Sequence, residues 1–343
     1  FTYSFAAAEA MVPHILGSYR AYLDTCTSWD SIEENTKLFI CFGGVPLKNG
    51  QIAQGGTGSH KQKEKIIRSA NAGIKFVNFS PLKSDLLDEV NGEWLALRPN
   101  TDVAIMLGLA YTLYKEKLYD DIFIEKYTEG FDTFLPYLQG DIDGIVKDAN
   151  WASSISEIPS EKIISLAKEM SSKRTMISVS WSLTRQDHGE QPFWAAIMLA
   201  SMVGQIGLPG GGFGFGYSAT NHIGGQFSII PGAAFPQTEN KIEDFIPVAR
   251  ISDLLLNPGG SFDFDGKEYK YPDIKLIYWA GGNPFHHHQD INKLLQAWQK
   301  PETIISNEWC WNSLAKYSDI ILPCTTPLER QDIMLTPRDP YVV

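Results

Sequence analysis

Among 343 residues there are only four cysteines, Cys26, Cys41, Cys310 and Cys324, and no two of them stand in a CxxC spacing. A disulfide-stapled domain is excluded by that scarcity, and buried free thiols are expected instead. Long apolar runs are missing too. The longest, Trp194 to Val203, is about half of the roughly 20 residues that a membrane-spanning helix requires, so membrane insertion is not expected. Runs of lysine and arginine are also absent and the formal net charge is -11. That balance excludes nucleic acid and an anionic membrane surface as partners, and an anionic ligand would need local donors. Neither a G-x-G-x-x-G fingerprint nor the lysine of a Walker loop occurs, which argues against an ordinary NAD, FAD or nucleoside triphosphate site. The first residue is Phe1, not methionine, so a fragment or trimmed chain is expected.

What is present is a rhythm. Six apolar runs, "LFICFGG", "IKFVNFS", "TMISVSW", "IKLIYWAGG", "TIISNEW" and "DIILPC", have the continuous hydrophobicity of strands buried on both faces, and amphipathic stretches alternate with them. That alternation predicts an α/β fold built from mostly parallel sheets. In "PNTDVAIMLGLAYTLYKEK" a helix is expected to begin at Asn100 or Thr101, either of which offers an N-cap oxygen, with Asp102 in its first turn. A second helix is expected in "QPFWAAIMLASMVGQIGLPGGG", with Trp194, Ile197, Met198 and Met202 at helical spacing and Gly207 and Pro209 as the stop. The following "GLPGGGFGFG" leaves a helix instead of leading a strand into one, so a flexible or close-packing backbone segment is expected there. Residues 222–265 read as loop around one short helical signal, "VARISDLLL". The domain boundaries expected are therefore 1–227, a connection at 228–265, and the start of a second domain at 266–343.

The most informative feature is an internal repeat. "LFICFGGVPLKNGQ" (Leu38 to Gln51) and "LIYWAGGNPFHHHQ" (Leu276 to Gln289) share one register: strand, Gly-Gly, one residue, proline, four residues and glutamine. Each copy is followed, after a helix-sized interval, by a second strand. A strand ending in Gly-Gly lets backbone approach a ligand without Cβ hindrance, and the proline suits the first turn of the next helix. Two such turns predict two doubly wound, dinucleotide-binding domains with equivalent diphosphate sites. The three consecutive histidines of the second copy are not expected to form a metal site. Adjacent helical side chains diverge by about 100°, and the first copy has no histidine.

These residues, with "TDVAIMLG", "SKRTM", "HGEQ", "LASMVGQIGLPGGGFG", "YWAGGNPFHHHQD" and "DIILPCTTPLERQDI", resemble the dimethyl sulfoxide reductase family of molybdenum bis(molybdopterin guanine dinucleotide) oxidoreductases. The likeness covers the whole chain and leans to the biotin sulfoxide, trimethylamine N-oxide and dimethyl sulfoxide reductases. It implies reduction of a small S-oxide or N-oxide by oxygen-atom transfer, with electrons from a donor protein or reductant. It further implies that Gly281, Gly282, Asn283 and His287 contact one arm of the cofactor, with Asn307 and Glu308 near its guanosine and Arg330 at a phosphate. For the other arm it implies Lys48, Phe79, Ser80, Asn100, Thr101 and Asp102. Relatives often carry aspartate where Ser80 stands, and His-Asp where Asn307-Glu308 stands. The strand "TMISVSW" would bring Trp181 and Ser182 to the pterin and Arg185 to the substrate oxygen, making Arg185 the catalytic candidate; His188 is expected to be structural.

The family's serine ligand to molybdenum belongs to a segment that precedes Phe1 in family order, so no residue here is expected to bind the metal. The compartment stays open between periplasm and cytoplasm, both of which the family uses. Two other readings remain. One is a nucleotide-binding module without catalysis; the other is a different molybdopterin enzyme, such as a formate dehydrogenase or nitrate reductase.

Overall fold

The computed structural model describes residues 5–53, 58–225, 238–242 and 245–333, with the single positions 229, 236 and 338. The expected loop segment "IIPGAAFP" lies largely outside them. Two compact units divide the chain, one holding residues 4–232 and the other residues 233–333.

The first unit is built on a five-stranded, wholly parallel sheet. Its strands are β1 (Leu38–Phe42), β2 (Lys75–Phe79), β3 (Glu93–Leu95), β4 (Thr175–Val179) and β5 (Gly212–Phe215), in the order β3-β2-β1-β4-β5. Every residue of β1 and β4 is buried, as a strand covered by helices on both faces must be. On one face Phe39 stacks on Trp29 and Phe76; on the other Phe193, from the helix Gln191–Val203, meets Phe215 edge-on. The strand order reverses at β1, which has β2 on one side and β4 on the other. Open parallel sheets bind their ligands at the carboxyl ends of the strands flanking such a switch point.

Several local expectations need correction. The helix Asp102–Lys115 has Thr101 at its N-cap position without a side-chain cap, because the Thr101 hydroxyl donates to the Arg98 carbonyl at 2.5 Å. The helix Gln191–Val203 ends at Gly204, in left-handed conformation, three residues before the expected stop. Trp194 is 54% exposed, so the burial of this helix centres on Phe193, Ile197, Leu199 and Met202 instead. The glycine-rich segment contains an edge strand, β5. Its glycines are there for packing: a Cβ on Gly214 would lie 2.6 Å from the Tyr217 ring, and one on Gly212 2.8 Å from the Ile206 backbone.

The second unit holds the antiparallel hairpin β6 (Ser261–Phe264) and β7 (Lys267–Lys270), and a three-stranded parallel sheet. That sheet comprises β8 (Leu276–Ala280), β9 (Thr303–Glu308) and β10 (Ile320–Pro323), in the order β10-β9-β8. The first strand of the hairpin falls inside the expected loop and the second just beyond it, and the hairpin turns at Asp265-Gly266, both with positive φ, as a tight two-residue turn requires. Ile277, Trp279 and Ile304 pack on Leu255, Leu294 and Trp298, whereas Leu276, Tyr278, Ile320 and Leu322 are exposed. Among the described residues this sheet is therefore covered on one face only, which corrects the expectation of burial on both. Cys26 is partly buried and Cys41 buried, but Cys310 and Cys324 are exposed; all four are free. No helix of the described residues is long and apolar enough to cross a membrane.

Candidate functional site

At the carboxyl end of β1 the backbone turns through Gly43 (φ 79°) and Gly44 (φ 77°), both in the left-handed region that side chains disfavour. Neighbours hold the turn on both sides. The Gly43 N–H donates to the Phe79 carbonyl at 2.8 Å, tying the turn to the end of β2, and Ser180 N–H donates to the Phe42 carbonyl at 2.8 Å, tying it to the end of β4. A Cβ on Gly43 would stand 2.8 Å from Ser180 Cβ and 3.2 Å from Ser182 Oγ, and one on Gly44 would stand 2.4 Å from the Asp85 carbonyl oxygen. The switch point thus gathers residues from three strand ends onto one backbone turn.

Lys48, in the short helix Leu47–Gly50 that follows, lies with Nζ 3.3 Å from Asp85 Oδ1. The Ser80 hydroxyl donates to Asp85 Oδ2 at 2.7 Å, and the Trp94 indole donates to the Ser80 carbonyl at 2.8 Å. The Phe79 ring is buried against Phe42, with centroids 4.9 Å apart, so its contribution to the turn is its carbonyl. Beyond β3, Asn100 adopts φ 66°, and Thr101 and Asp102 are buried at the start of the helix Asp102–Lys115. Asp102 is 3% exposed, its Oδ1 has no hydrogen-bond partner among the described residues, and burial pushes its carboxyl up from 3.8 to about 7.

After β4 the chain enters a single 3-10 turn, Trp181–Arg185. Trp181 is buried against Phe5, and its Nε1 has no partner among the described residues; the Ser182 hydroxyl donates to Ser180 Oγ at 3.0 Å. Arg185 is exposed and its guanidinium makes no ion pair among the described residues. His188 is exposed, at φ 52°, with Nδ1 3.5 Å from a Glu190 carboxylate oxygen.

The second copy has the same backbone. β8 ends in Gly281 (φ 78°) and Gly282 (φ 70°), then Asn283 and a one-turn helix, Pro284–His287, with proline at its start. In this copy the space above the glycines is open, with no atom within 4 Å of a Cβ built on either. Asn283 caps the helix by accepting from Phe285 N–H at 3.0 Å, and its amide donates to Ser313 Oγ at 3.0 Å. His286 and His287 are exposed while His288 is buried, so the three imidazoles diverge. At the end of β9, Asn307 Oδ1 is buried without a partner among the described residues, and Glu308 accepts from the Asn312 amide at 2.7 Å. Past β10, Arg330 donates to the Thr325 carbonyl at 2.7 Å and pairs with Asp332 at 2.8 Å.

The residue that sequence reasoning missed is Asp85, which touches Gly44, Val45, Lys48 and Ser80. The only available signal was an acid five residues beyond a serine at a strand end.

Comparison with known proteins bears on this arrangement. A family model described as molybdopterin oxidoreductase matches residues 3–338. Biotin sulfoxide reductase of Cereibacter sphaeroides is 45% identical over 342 residues, covering 100% of this chain and 46% of that protein. The dimethyl sulfoxide/trimethylamine N-oxide reductase of Rhodobacter capsulatus is 43% identical over 343 residues, covering 96% and 41%. Acetylene hydratase from Pelobacter acetylenicus superposes with a TM-score of 0.62 at 14% identity, covering 98% of this chain and 46% of that one. The chain spans less than half the length of each of these proteins.

Proposed function

The chain belongs to the molybdopterin oxidoreductase family, and from that premise we propose that it is the cofactor-cradling part of an S-oxide or N-oxide reductase. The cofactor is a molybdenum bis(molybdopterin guanine dinucleotide), one dinucleotide arm to each Gly-Gly turn. The observation that carries this reading is the duplicated turn: two parallel strands end in Gly-Gly pairs with φ between 70° and 79°, each followed by a proline and one helical turn. Glycines at such a turn let a diphosphate approach the backbone; on the first turn the Gly43 and Val45 N–H groups already bond the Phe79 and Asp85 carbonyls, so its donors to phosphate are the Gly44 N–H and Lys48. The donor and acceptor set fits the rest of the arm. Asp102 Oδ1 and Asn307 Oδ1 are buried acceptors without partners, which the N–H and O–H groups of guanine and ribose would satisfy.

When bound, the group supplies two-electron redox chemistry and an acceptor for the substrate's oxygen. The chain's own residues do the rest. On the first turn Lys48 balances phosphate charge, Ser80, Asn100, Thr101 and Asp102 line the nucleoside side, and Trp181 and Ser182 present the end of β4 to the pterin. On the second turn Asn283 and His287 sit beside the diphosphate, with Asn307 and Glu308 at the nucleoside and Arg330 at a phosphate. Arg185, exposed and without an ion pair among the described residues, can donate to the oxide oxygen and stabilise charge developing there; a guanidinium stays protonated throughout.

In the full-length protein, roughly one molybdenum per chain supports this reading and none supports a nucleotide-binding module. Arg185→Ala is expected to lower oxide turnover about 100-fold, as loss of one charge-stabilising donor does, with molybdenum content kept. Unchanged turnover would remove Arg185 from the mechanism.

A further inference from the structure

The structure assigns Asp85 the role of acidic acceptor for the nucleoside half of the ligand on the first Gly-Gly turn, with Ser80 as its positioning residue. This rests on the reading of that turn as a diphosphate cradle. The end of β2 holds a hydroxyl, Ser80, which alone gives no anionic acceptor. That hydroxyl donates to Asp85 Oδ2 at 2.7 Å and so brings a carboxylate to the same strand end.

The Asp85 main chain is clamped as well. Its carbonyl accepts from Val45 N–H at 2.8 Å and lies against Gly44. The side chain is 13% exposed, enough to be reached from outside while held in one orientation. A carboxylate has about four lone-pair sites. Ser80 occupies one and Lys48 Nζ, at 3.3 Å, leans on a second. Lys48 is itself 65% exposed, so a phosphate can draw its ammonium away and leave Asp85 open to donors: the guanine N–H groups or the ribose hydroxyls. A charge-assisted bond of that kind is about twice as strong as a neutral one.

The test is a titration of the 343-residue chain with guanosine diphosphate, adenosine diphosphate and inorganic pyrophosphate. It is followed by NMR of the Trp94 indole N–H, which donates to the Ser80 carbonyl and so reports on this turn even if the second also binds. Asp85→Asn is expected to weaken guanosine diphosphate about tenfold while pyrophosphate stays within about twofold, because the Gly44 backbone and Lys48 hold the phosphates. Ser80→Ala, which leaves the carboxylate unoriented, is expected to weaken the nucleotide about threefold and pyrophosphate not at all. A loss shared by adenosine diphosphate assigns the ribose as donor; a loss confined to guanosine diphosphate assigns the base. Equal losses for nucleotide and pyrophosphate, or no loss, overturn the assignment and leave the cradle standing. If the unaltered chain binds neither nucleotide nor pyrophosphate, the cradle reading falls and the role of Asp85 falls with it. Should Asp85→Asn fail to fold, unchanged nucleotide binding in Ser80→Ala overturns the proposal.

Discussion

Gly44→Ala is expected to destabilise the unit of residues 4–232 by about 2–5 kcal/mol, whereas Gly282→Ala destabilises the unit of residues 233–333 by only about 1–2 kcal/mol. Both glycines are left-handed, at φ 77° and 70°, and for alanine that conformation costs roughly 1–2 kcal/mol. The difference is what the new methyl meets. At Gly44 it would lie 2.4 Å from the Asp85 carbonyl oxygen and 2.6 Å from Asp85 Cβ, so a backbone segment must move, and the Val45 N–H bond to that carbonyl moves with it. Overpacking of this kind adds about 1–3 kcal/mol. At Gly282 the methyl meets nothing within 4 Å; the cost is conformational alone. Calorimetry on both variants separates the two contributions. Equal free-energy losses would mean that the loop carrying Asp85 does not press on the first turn. Because the space above Gly282 is open, Gly282→Ala should still weaken pyrophosphate at the second turn, a loss of ligand room without a loss of fold.

The same contrast explains what could be read from the residues alone. β1, β2 and β4 were legible because helices on both faces demand a continuous apolar run, and "LFICF" or "TMISV" has few other uses. β5 was hidden because neighbours fill the places its side chains would take: the Tyr217 ring sits where a Gly214 Cβ would be. The hairpin Ser261–Lys270 was hidden by the company of "NPGG", although Asp-Gly between aromatic strands is a hairpin signal. The duplicated Gly-Gly turn was legible because its function is in the backbone, and backbone permissiveness is written directly as glycine. Asp85 was not, since its importance arises only when residues 80–85 fold over Gly44. The Phe79 ring shows the converse: its neighbourhood was foreseen, but strand alternation turns the side chain into the core and leaves only its carbonyl at the turn.

Asp102→Asn should stabilise the unit of residues 4–232 at neutral pH and destabilise it by about 1–2 kcal/mol near pH 3. In the folded chain burial raises this carboxyl from 3.8 to about 7, and Oδ1 has no hydrogen-bond partner to favour the ionised form. Below about pH 4 folded and unfolded chains both hold the proton, and Asp102 contributes no pH dependence. Between about 4 and 7 the unfolded chain has released the proton and the folded chain keeps it, so raising the pH favours unfolding. Above about 7 the full cost is present, on the order of 4 kcal/mol. Asparagine cannot ionise and removes that cost, though its own amide N–H groups, left unpaired, return about 1–2 kcal/mol. The net gain expected at pH 8 is roughly 2–3 kcal/mol, read as the difference between urea melts of the two proteins. Parallel stability curves from pH 4 to pH 8 would show that this carboxylate is already solvated or paired. A buried acid with one unpartnered oxygen at the carboxyl end of a parallel sheet is a destabilising feature until a donor reaches it. Saturating guanosine diphosphate should therefore raise the pH 8 stability of the aspartate protein more than that of the asparagine variant. The reverse order would place the nucleotide's donors elsewhere.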